Sequence, residues 1–150
     1  MKPKNIFLDF DDTITCIDPE EYFDENLGML WHRQKVKNNV NQFLKFLTKH
    51  FNVVWCSYNS KERILEQLTD RVDKDILDKI KYFNCHKHGF GNKVYEINEV
   101  TSDYLFIDDS WILEEQEIIP NTCYFIQACE TDPDDLIRIE NEIRYKYKIE

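Results

Sequence analysis

The chain has 150 residues and a formal net charge of −10, with 32% charged and 14% aromatic residues. That length suits one domain able to bury about two thirds of its unfolded surface, and the aromatic content excludes a disordered chain. The acidity argues against a general nucleic-acid coat, and no apolar stretch approaches the roughly 20 residues of a membrane span.

The charge is uneven. Residues 31–93 hold 13 Lys+Arg against 6 Asp+Glu, whereas residues 1–30 hold 2 against 8 and residues 94–150 hold 4 against 15. Solvated faces of amphipathic helices account for this bias most simply; a basic lobe that meets an anionic partner is the alternative. The five cysteines (Cys16, Cys56, Cys85, Cys123, Cys129) are odd in number and lack Cys-x-x-Cys spacing. Met1-Lys2-Pro3-Lys4-Asn5 passes straight into an apolar run, so no signal peptide is expected. Together these point to reduced thiols in a cytoplasmic protein with no membrane anchor.

In chain order, Ile6-Phe7-Leu8 reads as a buried parallel strand that ends abruptly in Asp9-Phe10-Asp11-Asp12-Thr13. If the backbone stays extended, Asp9 and Asp11 leave on one face and can share a hard cation, Asp12 points away, and the Thr13 hydroxyl holds the turn. Thr15 to Trp31 has no clean period; its Tyr22, Phe23 and Trp31 suggest a folded flap. Apolar residues at 36, 40, 43, 44 and 47 predict a helix, and Phe51 to Cys56 a second strand with the polar tip Ser57. Ser60 is a helix cap with Arg63 at its third position, ahead of Ile64, Leu65 and Leu68. Asp73 to Ile80 predicts another helical turn or two, Lys81 to Cys85 a third strand, and the residues from Lys93 through Ile97 a short helix. Tyr104-Leu105-Phe106-Ile107 then runs into Asp108-Asp109-Ser110, the pattern of the first strand again. Thr122 to Ile126 is a fifth strand. Asp132-Pro133-Asp134-Asp135 opens the last helix with a cap, a proline and first-turn acids.

Alternating strands and helices give an α/β, doubly wound, Rossmann-like parallel sheet of about five strands with helices on both faces, in a single domain spanning residues 1–150. In such a sheet the tips carrying Asp9, Asp11, Ser57, Asp108 and Asp109 lie along one edge. Converging carboxylates need a cation between them, and oxygen-only ligands point to Mg²⁺. Ser57 and Lys93 would add a neutral donor and a positive charge, as a phosphoryl group requires.

This ordered set resembles the haloacid dehalogenase-like (HAD) phosphatase superfamily over roughly residues 4–125. The match consists of Asp9-Phe10-Asp11-Asp12-Thr13, Ser57, Lys93 and Asp108-Asp109. Val40 to Leu44, Val54-Trp55 and Ile107 to Ser110 look most like the capless branch that includes the polymerase tail-domain phosphatases. That branch usually has Glu at position 12, Thr before the Ala-Ser of its second motif, and Pro after Ser110. Here those places hold Asp12, Cys56-Ser57-Tyr58 and Trp111.

The resemblance implies Asp9 as the nucleophile that forms an aspartyl-phosphate, and Asp11 as the general acid and then base, with a raised pKa. It implies Mg²⁺ held by Asp9, Asp11 (through its backbone carbonyl) and Asp109, with Ser57 and Lys93 binding the phosphoryl group. Asp108 and Thr13 would support, Asp108 by orienting Lys93 or a metal-bound water.

The gaps of 48 positions from Asp9 to Ser57 and 36 from Ser57 to Lys93 leave no room for a folded cap domain. An open site predicts a phosphorylated macromolecule, a protein side chain or nucleic-acid end, over a free metabolite. Alternatives are a phosphatase of nucleic-acid ends or free nucleotides, and a non-catalytic binding module on a HAD scaffold. Two local readings stand beside these. Cys85-His86-Lys87-His88 could offer soft ligands to zinc, and Tyr58 with the flap aromatics could line a substrate entrance.

Overall fold

The computed structural model describes residues 2–24, 26, 28–110 and 113–150, with residues 19–24, 29–33 and 113 described by their backbone. In order, the elements are β1 (Asn5–Leu8), β2 (Thr15–Asp24), β3 (Met29–Val36), α1 (Val40–His50) and β4 (Asn52–Trp55). There follow α2 (Lys61–Leu68), α3 (Lys74–Leu77), β5 (Lys81–Tyr82), α4 (Lys93–Asn98) and β6 (Tyr104–Asp108). The chain closes with α5 (Leu113–Glu117), β7 (Tyr124–Gln127) and α6 (Asp135–Tyr147).

Five parallel strands form one sheet in the order β5-β4-β1-β6-β7. This is the α/β architecture expected from sequence. The central strand β1 has no polar side because both its faces are covered. Ile6 and Leu8 point into one core with Val53, Trp55, Leu105 and Ile107, beneath Phe43, Leu44 and Leu47 of α1 and Ile139 and Ile143 of α6. Phe7 points the other way, into a second core with Tyr104, Phe106, Val94 and Ile97. Each large side chain sealed there contributes about 1.5–3 kcal/mol. Leu8 sits opposite Trp55 on one side and Ile107 on the other, so the three strand tips end level.

The segment between β1 and α1 is an antiparallel hairpin of β2 and β3. Its register shifts between Ile17 and Glu21, the stretch holding Pro19, which has no N–H to offer a ladder. The expected flap therefore takes a definite form, while the Tyr22, Phe23 and Trp31 side chains lie outside the described residues. The hairpin is tied down by Ile17 N–H to the Glu130 carbonyl (2.8 Å) and Lys37 N–H to the Ile14 carbonyl (2.9 Å).

Several boundaries differ from the sequence expectation, three of them for clear local reasons, and the helix α5 was not expected. Val36 closes β3 opposite Thr15 instead of opening a helix, because Asn39 takes a left-handed φ of 64° that no helix interior holds. The third strand stops at Tyr82, and Asn84 turns the chain by accepting the His86 N–H at 3.0 Å. The last helix starts at Asp135, since Asp132 spends its carboxylate on the Asp134 N–H at 2.9 Å. Asp135 is a first-turn acid as expected, and it is fully buried. It accepts from Arg138 Nε (2.6 Å), Cys129 N–H (2.7 Å) and the buried Lys37 Nζ (3.4 Å). Among the described residues, no helix is long and apolar enough to cross a membrane.

Candidate active site

β1 delivers Asp9 to the sheet edge, and the ladder runs one residue past the strand, with Asp9 N–H on the Ile107 carbonyl at 2.9 Å. The side chain is only 4% exposed, and both its oxygens are engaged. Thr13 Oγ1 donates to Oδ2 at 2.9 Å and Lys93 Nζ to Oδ1 at 2.8 Å. Beyond Asp9 the chain coils: Ile14 N–H reaches the Phe10 carbonyl at 2.9 Å, and Asp12 adopts a φ of 62°. Alternation ends at this turn, so Asp12 does not point away as an extended backbone would require. It faces the same cavity as Asp9 and Asp11. Asp11 sits exposed at the rim and accepts from Asn59 Nδ2 at 3.3 Å.

β6 supplies the second pair. Asp108, buried at 2% exposure, takes Lys93 Nζ on Oδ2 at 2.8 Å and the Ser110 N–H on Oδ1 at 2.8 Å. Carboxylate oxygens of Asp9, Asp108 and Asp109 all lie within 4.8 Å of one another, as do those of Asp12, Asp109 and Glu130. Lys93, first residue of α4, bridges Asp9 and Asp108 beneath the cavity. Glu115 fixes that helix from α5, accepting the Val94 N–H at 3.0 Å and the Ser110 hydroxyl at 3.4 Å.

The electrostatics are those of a site short of positive charge. Burial, then Asp108, hold the Asp9 carboxyl well above its ordinary value despite Lys93. Burial and Asp108 push Asp109 up to about 7. Partial burial raises Asp11 against the pull of the Asn59 amide. Burial works to deprotonate Lys93, but Asp9 and Asp108 outweigh it and hold the ammonium charged. The Asp12 Oδ1 atom is buried with no hydrogen-bond partner. Carboxylate oxygens this close, with one ammonium among three acids, suit a hard divalent cation.

Ser57 is placed differently from the other strand-tip residues. It is fully buried, its Oγ accepts the Asn59 N–H at 3.0 Å, and its carbonyl takes the Tyr82 hydroxyl and the Cys85 thiol, each at 3.3 Å. It does not line the cavity of about 400 Å³, whereas Tyr58 does. The zinc reading of the 85–88 loop finds no support among the described residues. Cys85 is buried against Ser57, His88 pairs with Glu99 at 3.0 Å, and the three-ligand groups present are all carboxylate.

Three residues escape a sequence reading: Glu115 and Phe90, which line the cavity, and Asn59, which holds Asp11. Only Phe90 leaves a signal, an aromatic set between Gly89 and Gly91.

No protein-family model matches the chain, and no curated protein sequence does. Solved structures match. The structure of Fcp1, an essential RNA polymerase II CTD phosphatase, aligns with a TM-score of 0.50 and 13% identity, over 99% of this chain and 49% of that one. A point variant of fission yeast RNA polymerase II CTD phosphatase Fcp1 bound to beryllium fluoride aligns at 0.44 and 12%, over 99% and 51%. The chain spans about half the length of those solved chains. At 13% identity the first likeness shows a shared fold and no more.

Proposed function

We propose that the chain is a Mg²⁺-dependent phosphomonoester hydrolase of HAD type that passes the phosphoryl group through Asp9. One observation carries this reading. Asp9 is buried yet faces an open cavity, with both oxygens pinned by Lys93 and Thr13 and two further aspartates beside it. Burying that many acids around one ammonium costs stability, and a structural role would be served better by apolar packing.

Asp9, Asp109 and the Asp11 backbone carbonyl would hold the ion, which when bound screens the phosphate charge and favours in-line attack. Asp9 attacks phosphorus through a carboxylate oxygen, and the bond from phosphorus to the leaving oxygen breaks. Asp11, whose pKa burial raises, gives its proton to that oxygen. The same carboxylate then takes a proton from the water that hydrolyses the aspartyl-phosphate. Lys93 neutralises charge on the phosphoryl oxygens, while Asp108 and Thr13 keep ammonium and nucleophile in place. Of the two residues expected to hold the phosphate, Lys93 lines the cavity and Ser57 does not, so the proposal gives that role to Lys93. Ser57 orders the turn whose Asn59 holds Asp11.

The insertion after β1 is a hairpin and the cavity is open, which favours a phosphorylated macromolecule as substrate. That the Fcp1 structure is of an RNA polymerase II CTD phosphatase agrees with this. Phosphate release from an aryl phosphate should require Mg²⁺ and stop with chelator. Asp9→Asn, nearly isosteric, should cut the rate by about 10³-fold or more while leaving the circular dichroism spectrum unchanged. An unimpaired Asp9→Asn variant removes Asp9 from the chemistry.

A further inference from the structure

Phe90 is 85% exposed, yet the chain around it is built with care. Gly89 and Gly91 both take positive φ, 84° and 81°, a pair of reversals that side-chain-bearing residues rarely adopt. Tyr58 clamps the loop through its hydroxyl, accepting the Gly91 N–H at 2.8 Å and donating to the Gly89 carbonyl at 3.5 Å. Asn92 Nδ2 donates to the His88 carbonyl at 2.8 Å and the Phe90 carbonyl at 3.3 Å. The result is a held ring, stacked on Tyr58 with centroids 4.2 Å apart and planes 19° off parallel. Tyr58 covers one face of Phe90; the ring is otherwise open to solvent at the edge of the cavity. Nothing in the packing of the fold calls for an apolar ring in that place.

The ring is also close to the chemistry. Lys93 Nζ stands 2.8 Å from Asp9 Oδ1 and 4.9 Å from the centre of the Tyr58 ring, so a single ammonium joins nucleophile and aromatic stack. Asp9 and Phe90 line the same cavity, so a ligand whose phosphate reaches Asp9 can extend towards the ring. The cavity itself is acid-rich, but the loop beside the ring carries basic groups. The loop carries His86 (ring centroid 5.5 Å from that of Tyr58), Lys87 and His88, the last two sharing Glu99, and Arg63 at the start of α2 acts on Asp11. A flat π face beside basic groups is how single-stranded nucleic acid is held without regard to sequence.

We infer that Phe90, backed by Tyr58, is the stacking platform for the terminal base of a phosphorylated single-stranded nucleic-acid end. This names the substrate class of the proposed phosphatase site and rests on that reading.

The test measures kcat/KM for a 5′-phosphorylated and a 3′-phosphorylated trinucleotide, the matching base-free sugar phosphate, and a phosphoserine peptide. Wild-type protein should favour one trinucleotide over the sugar phosphate by about tenfold or more. Phe90→Ala should erase most of that ratio through KM, and Phe90→Tyr should keep it. A second measurement uses the Asp9→Asn protein and a phosphorylated trinucleotide ending in 2-aminopurine. Its fluorescence should be quenched on binding, and the quench lost when Phe90→Ala is added. A ratio unmoved by Phe90→Ala, or a phosphopeptide turned over better than both trinucleotides, overturns the platform and leaves the phosphatase standing. Phosphate release from none of the substrates overturns the phosphatase, and the quench then reads the platform by itself.

Discussion

Lys93 and Lys37 are both buried, and each reaches an aspartate, yet their surroundings are built on opposite terms. Lys37 shares Asp135 with Arg138 and the Cys129 N–H, so one acid meets two cations and a backbone donor. Lys93 alone faces Asp9 and Asp108, with Asp109 adjoining. The titration of the two sites follows. Burial pulls Lys37 down more than Asp135 lifts it, whereas Asp9 and Asp108 together lift Lys93. Burial raises Asp135 too, but Arg138, the Cys129 N–H and Lys37 outweigh it and hold the carboxyl below its ordinary value. Asp9 and Asp109 go the other way. Lys37 sits in a closed structural knot that anchors the end of the hairpin to α6. The Lys93 site is left acid-rich and open to a cavity, which suits the proposed cation and phosphate chemistry.

The sharpest way to break this contrast is Asp135→Ala. It leaves Lys37 buried without its acid and should cost about 3–5 kcal/mol in a urea melt. A cost below about 1 kcal/mol would mean the knot carries no structural load. Next in size is the response to metal. Mg²⁺ at about 100 times its dissociation constant should stabilise the protein by about 2.7 kcal/mol in thermal melts. Asp109→Asn should abolish that gain, because one of the converging carboxylates is gone. A gain that survives Asp109→Asn puts the ion elsewhere.

The smallest effect is in the pH profile of stability, taken in chelator. Asp109 titrates at about 7 in the folded protein against 3.8 ordinarily, so between those values the folded state binds more protons than the unfolded chain. Stability therefore falls as pH rises from about 4 to 7. Asp135, shifted down, gives the opposite slope, losing its contribution as pH falls through its folded pKa. Asp109→Asn should flatten the neutral limb by no more than about 1–2 kcal/mol, since the carboxyl is only partly buried. A neutral limb unchanged by Asp109→Asn would show that the repulsion is not felt there.

Most of the sheet was legible in the sequence because its strands are short apolar runs, two of which (β1 and β6) end in acids, and a parallel sheet lines such tips along one edge. The helix carrying Ile64 and Leu68 was legible for a similar reason: Ser60 accepts the Arg63 N–H at 3.2 Å, as its spacing requires. The Asp9, Lys93 and Asp108 triad was within reach because each residue type is costly to bury. Asp12 was misread because period-two alternation holds only while the strand lasts, and Asp12 is already in a turn. Lys37 and Asp135 were opaque for a different reason. They lie 98 residues apart, and nothing local marks either as buried. Glu115 and Asn59 likewise act through contacts that only the assembled tertiary structure creates.

The position of β1 between β4 and β6 bears on how the chain reaches its folded state during synthesis. Asn5 pairs with Asn52 on one side and with Tyr104 on the other, and the bond from Lys4 to Asp103 closes a loop of 99 residues. At the usual pace of translation, β1 waits about 5–20 s for its second neighbour, with an open edge and two apolar faces. Such long-range parallel pairing is slow to form. Asp9 therefore meets Lys93 and Asp108 only once β6 has been made and paired with β1, so a nascent chain carries an acid without those partners for most of its synthesis.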